Sequence, residues 1–147
     1  MRLQLALNVR DLETAVDFYT RLFGVAPRKR KPGYANFAIA EPPLKLVLFE
    51  TDDENADRLN HLGVEVMEDA QVETAIERIT GEDLPHRIES EVVCCHARQN
   101  KVWAYEPEGL RWEWYRVLED VEEQPAEAPV LPVVTASSGR SDSRCNC

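Results

Sequence analysis

The chain has 147 residues, with 17 Lys or Arg against 27 Asp or Glu, which gives a formal net charge of −10. This acidity argues against a nucleic-acid or anionic-membrane partner, because either would require a basic surface. No stretch approaches the roughly 18 apolar residues of a transmembrane helix, and the first residues lack the layout of a signal peptide. We therefore expect a cytoplasmic protein of one domain, or of two small fused half-domains.

Two parts of the chain show the same order of predicted elements. A short strand is predicted at 4–9 and again at 61–66. Each strand is followed by a helix whose apolar residues fall on one face. Asp11 is the predicted N-cap of the first helix and Gly24 its C-terminal stop, and Gly81 ends the second helix.

Each helix is followed by further predicted strands, which lie at 34–39, 44–49, 87–95, 101–105 and 110–117. The sequence thus predicts an α+β fold of two βαβββ modules that curl into an open barrel. The domain would span 1–118, with modules at about 1–55 and 56–118. Residues 119–147 are rich first in Pro, Ala and Glu and then in Ser and Gly, which predicts a flexible tail.

Three residues form a candidate metal site. Gln4 and His61 begin equivalent strands of the two modules, so both are expected to face a common centre. Glu113 lies between two tryptophans in the last strand, and alternation places its carboxylate on the opposite face from theirs. A buried carboxylate is costly unless it is paired or bound to a metal. Val47 occupies the equivalent position of the first module, so three ligands would leave open coordination positions.

The adjacent cysteines Cys94 and Cys95 indicate thiol chemistry. Two neighbouring thiols can bind one soft centre such as a trivalent arsenical or a heavy metal, whereas a disulfide between them would close almost no loop. The alternative is that both are small buried apolar residues. Two further cysteines, Cys145 and Cys147, lie at the end of the predicted tail.

Three stretches carry a resemblance to a known superfamily: 32–46, 94–103, and the Glu-Pro-Glu-Gly turn with the strand that follows it. The chain resembles the vicinal-oxygen-chelate superfamily, which includes glyoxalase I and extradiol dioxygenases. Within it, 94–103 is similar to the C–As lyases, the organoarsenical-demethylating enzymes, and 32–46 also resembles the related cadmium-induced proteins. The resemblance covers about residues 1–117.

This resemblance implies a non-haem iron enzyme. Fe(II) would be bound by Gln4, His61 and Glu113, and a trivalent organoarsenical such as methylarsonous acid by Cys94 and Cys95. Dioxygen would be the co-substrate, and cleavage of the carbon–arsenic bond would give arsenite, as in arsenic detoxification. The protein would be a monomer or a homodimer.

Three positions depart from the family pattern. Many members have histidine where this chain has Gln4, which is a weaker, neutral donor. Family members often carry a bulkier apolar or aromatic residue where this chain has His96 and Arg98, and these two would belong to the substrate loop. A positive charge on His96 would lower the pKa of a neighbouring thiol. Alternatively, His96 points away from the thiols on a loop.

Two other functions compete with the lyase. The first is a cadmium- or metalloid-binding protein without turnover, in which Cys145 and Cys147 could assist the thiol pair. The second, glyoxalase I itself, is disfavoured because Val47 removes the carboxylate that a four-ligand site would need.

Overall fold

The computed structural model describes residues 1–94 and 97–120, so Cys95, His96 and the rest of the predicted tail lie outside the described residues. Ten elements follow one another in the described part. In chain order they are β1 (Arg2–Val9), α1 (Leu12–Phe23), β2 (Lys29–Lys31), β3 (Tyr34–Ile39), β4 (Leu44–Glu50), β5 (Leu59–Glu65), α2 (Asp69–Gly81), β6 (His86–Cys94), β7 (Ala97–Tyr105) and β8 (Arg111–Asp120).

The elements form two βαβββ modules, as predicted. All eight strands belong to one sheet in the order β2-β3-β4-β1-β5-β8-β7-β6. The strands β1 and β5 pair antiparallel and join the modules within one chain. Within each module the first strand pairs parallel to the last, β1 with β4 and β5 with β8. The sheet does not close, because β2 and β6 are its edges, and the predicted fold class is confirmed.

The first helix covers one side of the first module. Asp11 accepts a hydrogen bond from the backbone of Thr14 at 2.9 Å, and Gly24 ends the helix with a φ of +67°, a conformation that glycine adopts without steric cost. Leu12 and Val16 pack against buried residues of β3 and β4, Phe37 among them. This core lies on the convex face of the sheet, and the opposite face carries polar residues together with the apolar cluster of Ala6, Tyr34 and Val47.

The second helix covers the second module in the same manner. At its N-terminus the backbone N–H of Glu68 donates to Oε1 of Gln71 at 3.3 Å, and the backbone N–H of Gln71 donates to the carbonyl of Glu68 at 3.1 Å. Ala75 and Ile79 pack against β7 and against Trp114 of β8. Among the described residues, no helix has the length and apolarity needed to cross a membrane.

The strand boundaries differ from the prediction mainly in the second module. The strand β7 begins at Ala97 instead of 101, and β8 continues to Asp120, past the predicted start of the tail at 119. Ala97 pairs with Asp120 and Arg98 with Glu119, so these polar residues are held by the sheet ladder. The strand β2 was not predicted, because its three residues are all basic and show no apolar alternation.

Candidate metal centre

The predicted ligands Gln4, His61 and Glu113 meet on the concave face of the sheet. The amide nitrogen of Gln4 is 2.8 Å from Nε2 of His61 and 3.2 Å from Oε2 of Glu113. The same Nε2 and Oε2 are 3.1 Å apart. The three residues are only 5%, 1% and 4% exposed, so their polar ends face one another away from bulk water.

Strand register explains why residues 109 positions apart in the chain meet. Gln4 pairs with Gly63 in the antiparallel β1–β5 ladder, and Gly63 pairs with Glu113 in the parallel β5–β8 ladder. Gly63 therefore separates the two ligands on one face of the sheet. A Cβ there would lie 3.3 Å from Cβ of Gln4 and 3.3 Å from the carbonyl oxygen of Glu113, so glycine permits the close approach of the two side chains.

The imidazole of His61 is oriented by a residue that the sequence analysis missed. Nδ1 of His61 is 2.7 Å from Oδ1 of Asn60, and Arg111 donates to that same oxygen at 2.9 Å. Because the guanidinium only donates, this atom of Asn60 accepts and Nδ1 carries the proton. In the neutral ring Nε2 is therefore the lone-pair nitrogen, and it faces Gln4 and Glu113.

The carboxylate of Glu113 has one buried cation beside it. Nζ of Lys101, which is 1% exposed, lies 3.2 Å from Oε1 of Glu113 and 4.0 Å from Glu89. Burial alone would raise the pKa of Glu113, but the contact with His61 and the charge of Lys101 outweigh burial, so its pKa lies below the usual value. The group stays a carboxylate at neutral pH.

The other side of the site is a hydrogen-bonded chain through Tyr115. Its hydroxyl donates to Oε1 of Gln4 and accepts from Nζ of Lys45 at 2.9 Å. Burial, reinforced by the nearby negative charges of Glu65 and Glu113, raises the pKa of Tyr115 well above its usual value, so it stays a neutral donor. Alternation could have predicted Tyr115, because it lies two residues after Glu113 on the same strand.

The ligands border a cavity of about 40 Å³ whose remaining wall comes partly from the first module. Val47 lines this cavity together with Tyr34 and Phe49. Val47 pairs with Ala6, two residues after Gln4, as Glu113 pairs with Gly63, two residues after His61. The predicted equivalence of Val47 and Glu113 is thus present in the register.

The donor atoms fit a divalent metal ion. A lone-pair nitrogen and a carboxylate oxygen lie 3.1 Å apart in a buried cavity, and between them the Gln4 amide is the hydrogen-bond donor. Amide rotation would present Oε1 as a third ligand, and imidazole with oxygen ligands is a set that iron, manganese and zinc accept. Among the described residues, no group of three or more His, Cys, Asp or Glu is arranged to hold a metal ion, so Gln4 is needed to complete a triad.

The predicted thiol site is only partly within the described residues. Cys94 is the last residue of β6 and pairs with Ala97, and Ala97 lines the cavity beside the proposed ligands. Cys95 and His96 fall between these two in sequence and lie outside the described residues. Arg98, predicted for a loop, lies in strand β7 instead, and its guanidinium is 3.0 Å from Glu119.

Comparison with known proteins identifies the family. The chain is 54% identical over 121 residues to the trivalent organoarsenical cleaving enzyme of Thermomonospora curvata, over 82% of this chain and 80% of that one. It is 56% identical over 121 residues to the cadmium-induced protein CadI of Mycobacterium tuberculosis, over 82% and 79% of the two chains. The crystal structure of a Mn(II)-bound glyoxalase from Novosphingobium aromaticivorans shares the fold, with a TM-score of 0.60 and 16% identity, over 84% of this chain and 41% of that one. The model of the glyoxalase/bleomycin resistance protein/dioxygenase superfamily matches residues 3–114, and the chain therefore belongs to that superfamily.

Proposed function

We propose that this protein cleaves the carbon–arsenic bond of trivalent organoarsenicals such as methylarsonous acid, using Fe(II) and dioxygen and releasing arsenite. The observation that carries the proposal is the convergence of Gln4, His61 and Glu113 on a buried cavity that Ala97, the strand partner of Cys94, also lines. The 54% identical relative named as a trivalent organoarsenical cleaving enzyme supports the choice of substrate.

The two proposed sets of ligands suit different reactants, because their donor atoms differ in softness. Gln4, His61 and Glu113 offer nitrogen and oxygen donors that suit Fe(II), while the thiolates of Cys94 and Cys95 suit As(III). Fe(II), when bound with open positions, would supply the capacity to activate dioxygen. Holding metal and arsenical in one cavity replaces a bimolecular encounter by a local one, which is worth several kcal/mol of barrier when the geometry is productive.

The surrounding residues fix the ligands and limit water. Asn60 keeps the proton on Nδ1 of His61, so Nε2 is available as a donor. Lys101 holds the carboxylate of Glu113 through Oε1 and leaves Oε2 directed at the site. Burial of all three proposed ligands keeps bulk water from competing with a bound substrate.

A second candidate function is sequestration of cadmium or a metalloid without turnover. It is favoured by the 56% identical relative whose name is cadmium-induced protein. In this case Cys94 and Cys95, with Cys145 and Cys147, would bind a soft ion, and the site on Gln4, His61 and Glu113 would have no role in a reaction.

The two functions are separated by measuring arsenic species. Protein purified without oxygen is loaded with Fe(II) and given trivalent methylarsenical and then air, and arsenite is quantified over time. The lyase produces arsenite in excess of protein. Stoichiometric capture of the arsenical, with no arsenite formed, would refute the lyase and favour sequestration.

A cysteine variant tests the division of roles. In Cys95→Ser the arsenical should no longer bind, because two thiolates are needed to hold it, while Fe(II) affinity should stay within about threefold of the parent protein. Metal affinity is measured by competition with a chelator, and arsenical binding by the mass of the protein adduct. Loss of both would mean that the cysteine binds the iron.

A further inference from the structure

A second cavity adjoins the candidate metal centre, and five of its twelve lining residues are basic. This cationic cleft has a volume of about 390 Å³. Five basic side chains and one carboxylate line it: Arg2, Arg28, Lys29, Lys45, Arg116 and Glu65. In a chain with a net charge of −10, such a concentration of positive charge at one cavity points to a ligand of opposite sign.

The inner part of the cleft carries more positive than negative charge. Arg2 and Lys45 both pair with the single carboxylate of Glu65, and the three side chains are 20%, 12% and 7% exposed. Two largely buried cations thus share one counter-charge, and the second contact of Lys45 is the neutral hydroxyl of Tyr115. Burial lowers the pKa of Lys45 even though the charges of Glu65 and Glu113 oppose the shift.

The rim of the cleft carries an exposed cation, Arg28. Within the described part of the chain no acidic side chain pairs with it. Its backbone is fixed, because its N–H donates to the carbonyl of Asn36 at 2.8 Å. An exposed guanidinium on a fixed backbone is suited to bind a carboxylate through two parallel N–H donors.

The cleft shares part of its wall with the candidate metal centre. Four residues line both cavities, namely Lys29, Asn36, Lys45 and Val117. Tyr115 connects them further, because its hydroxyl accepts from Lys45 and donates to Gln4. A molecule whose reacting atom lies at the proposed metal ligands could therefore extend a substituent into the cationic cleft.

We propose that the cationic cleft is an anion subsite, which binds a carboxylate or another small oxoanion carried by the organic group of the substrate. The inference rests on the proposed function for the arsenical that bears this group, while the charge of the cleft does not depend on it. Arylarsenicals with an ionised substituent would bind more tightly than uncharged ones of the same shape.

The test compares two trivalent arylarsenicals on reduced, metal-free protein: 4-carboxyphenyl and its neutral isostere, 4-carbamoylphenyl. The 4-carboxyphenyl compound should bind about fivefold more tightly than the 4-carbamoylphenyl compound, which is the effect of one partly exposed charge pair. This preference should fall as ionic strength rises. Equal affinity for the two compounds overturns the subsite.

Two matched arginine variants locate the effect. Arg28→Gln should remove most of the preference, whereas Arg10→Gln, which removes the same charge from an exposed residue outside the cleft, should retain it. An equal loss in both variants would mean that net charge alone is responsible and would overturn the proposal. Free benzoate and inorganic phosphate are the remaining probes. Binding of these free anions, without any preference between the two arsenicals, would assign the cleft to a free anion and refute the substrate-borne one.

The failure of this proposal is distinct from that of the proposed function. Cleavage of the methylarsenical, which has no anionic group, does not depend on the cleft. If the methylarsenical is cleaved and the two aryl compounds bind equally, the subsite is wrong and the lyase stands. If the protein prefers the carboxylate compound but forms no arsenite, the anion subsite stands and the proposed lyase function is refuted.

Discussion

The two modules have the same topology but place different side chains at equivalent positions of the concave face. Gln4 and His61 are equivalent, and each is an inward-facing residue of its module's first strand. In the last strands, Val47 of the first module corresponds to Glu113 of the second. One module therefore contributes an amide and an apolar wall, and the other an imidazole and a carboxylate. A duplicated fold can thus keep its register while the chemistry of its halves diverges.

The modules also differ in the length of one hairpin. By register Tyr34 is equivalent to Lys101, because they pair with Phe49 and Tyr115 respectively. In the first module β3 begins at Tyr34, whereas β7 begins four residues before Lys101. The additional ladder of β7 with β8 and β6 carries Cys94, so this residue of the proposed thiol site lies on the part of the second module that the first one lacks.

The largest effect is expected when Glu113 of the second module is replaced by valine, the residue at the equivalent position of the first module. Glu113→Val removes a proposed metal ligand, so metal affinity should fall by more than the roughly 10- to 100-fold that accompanies loss of a supporting residue. It also leaves Lys101 buried without its nearest partner, which should destabilise the fold by about 3–5 kcal/mol. Chelator competition and denaturant unfolding measure the two effects.

A double variant separates the ligand role from the structural one. Glu113→Val combined with Lys101→Met replaces the buried pair by apolar side chains, so stability should return towards the parent value while metal binding stays lost. Recovery of metal binding in the double variant would mean that Glu113 is not a ligand and serves only to compensate Lys101.

A smaller effect is expected from the residue that orients His61. Asn60→Ala leaves Nδ1 without its acceptor, so the proton is no longer held there and Nε2 is less available. Metal affinity should fall about 10- to 100-fold, as for other residues that support a metal ligand. Asn8→Ala is the matched control, because its side chain accepts from Asn60 at 3.0 Å but does not touch the imidazole. Equal losses in the two variants would show that the contact between strands β1 and β5, and not the tautomer, is responsible.

The reverse exchange places a carboxylate on the first module. Val47→Glu buries a charge without a partner and should destabilise the metal-free protein by about 3–5 kcal/mol. Added metal should then raise the melting temperature more than it does in the parent protein, since a fourth ligand strengthens binding to the folded state. Val47→Gln is the uncharged control. If metal stabilises the two variants equally, the register equivalence does not extend to ligand geometry.

The sequence predicted the parts of this arrangement that depend on periodicity. Alternation placed Glu113 opposite its flanking tryptophans, and the repeat register matched Gln4 with His61, and the structure brings all three side chains together. The helix ends at Gly24 and Gly81 followed from local backbone preferences and are confirmed. The role of Gln4, His61 and Glu113 as metal ligands stays a prediction.

The supporting residues could not be predicted, because their roles depend on cross-strand neighbours. Lys101 has an ordinary sequence context, and only the pairing of β7 with β8 places it against Glu113. The role of Gly63 in allowing the close approach of Gln4 and Glu113 becomes apparent only when β1 and β8 are known to flank it. The extent of β8 was missed because polar residues such as Glu119 are held by strand pairing and not by an apolar pattern.

The smallest effect is expected from removing the predicted tail. The second module ends in strand β8 at Asp120, and all proposed ligands precede that residue. A chain that stops after Val121 keeps every contact described for the site, so its turnover should match that of the parent protein. Its unfolding free energy should agree with the parent value within about 0.5 kcal/mol, the usual effect of a change away from packed residues. Because Cys145 and Cys147 are removed together, the variant also tests them as a metalloid site. A large drop in arsenical affinity at unchanged Fe(II) affinity would assign the tail thiols a part in capture, and would move the proposed function towards sequestration.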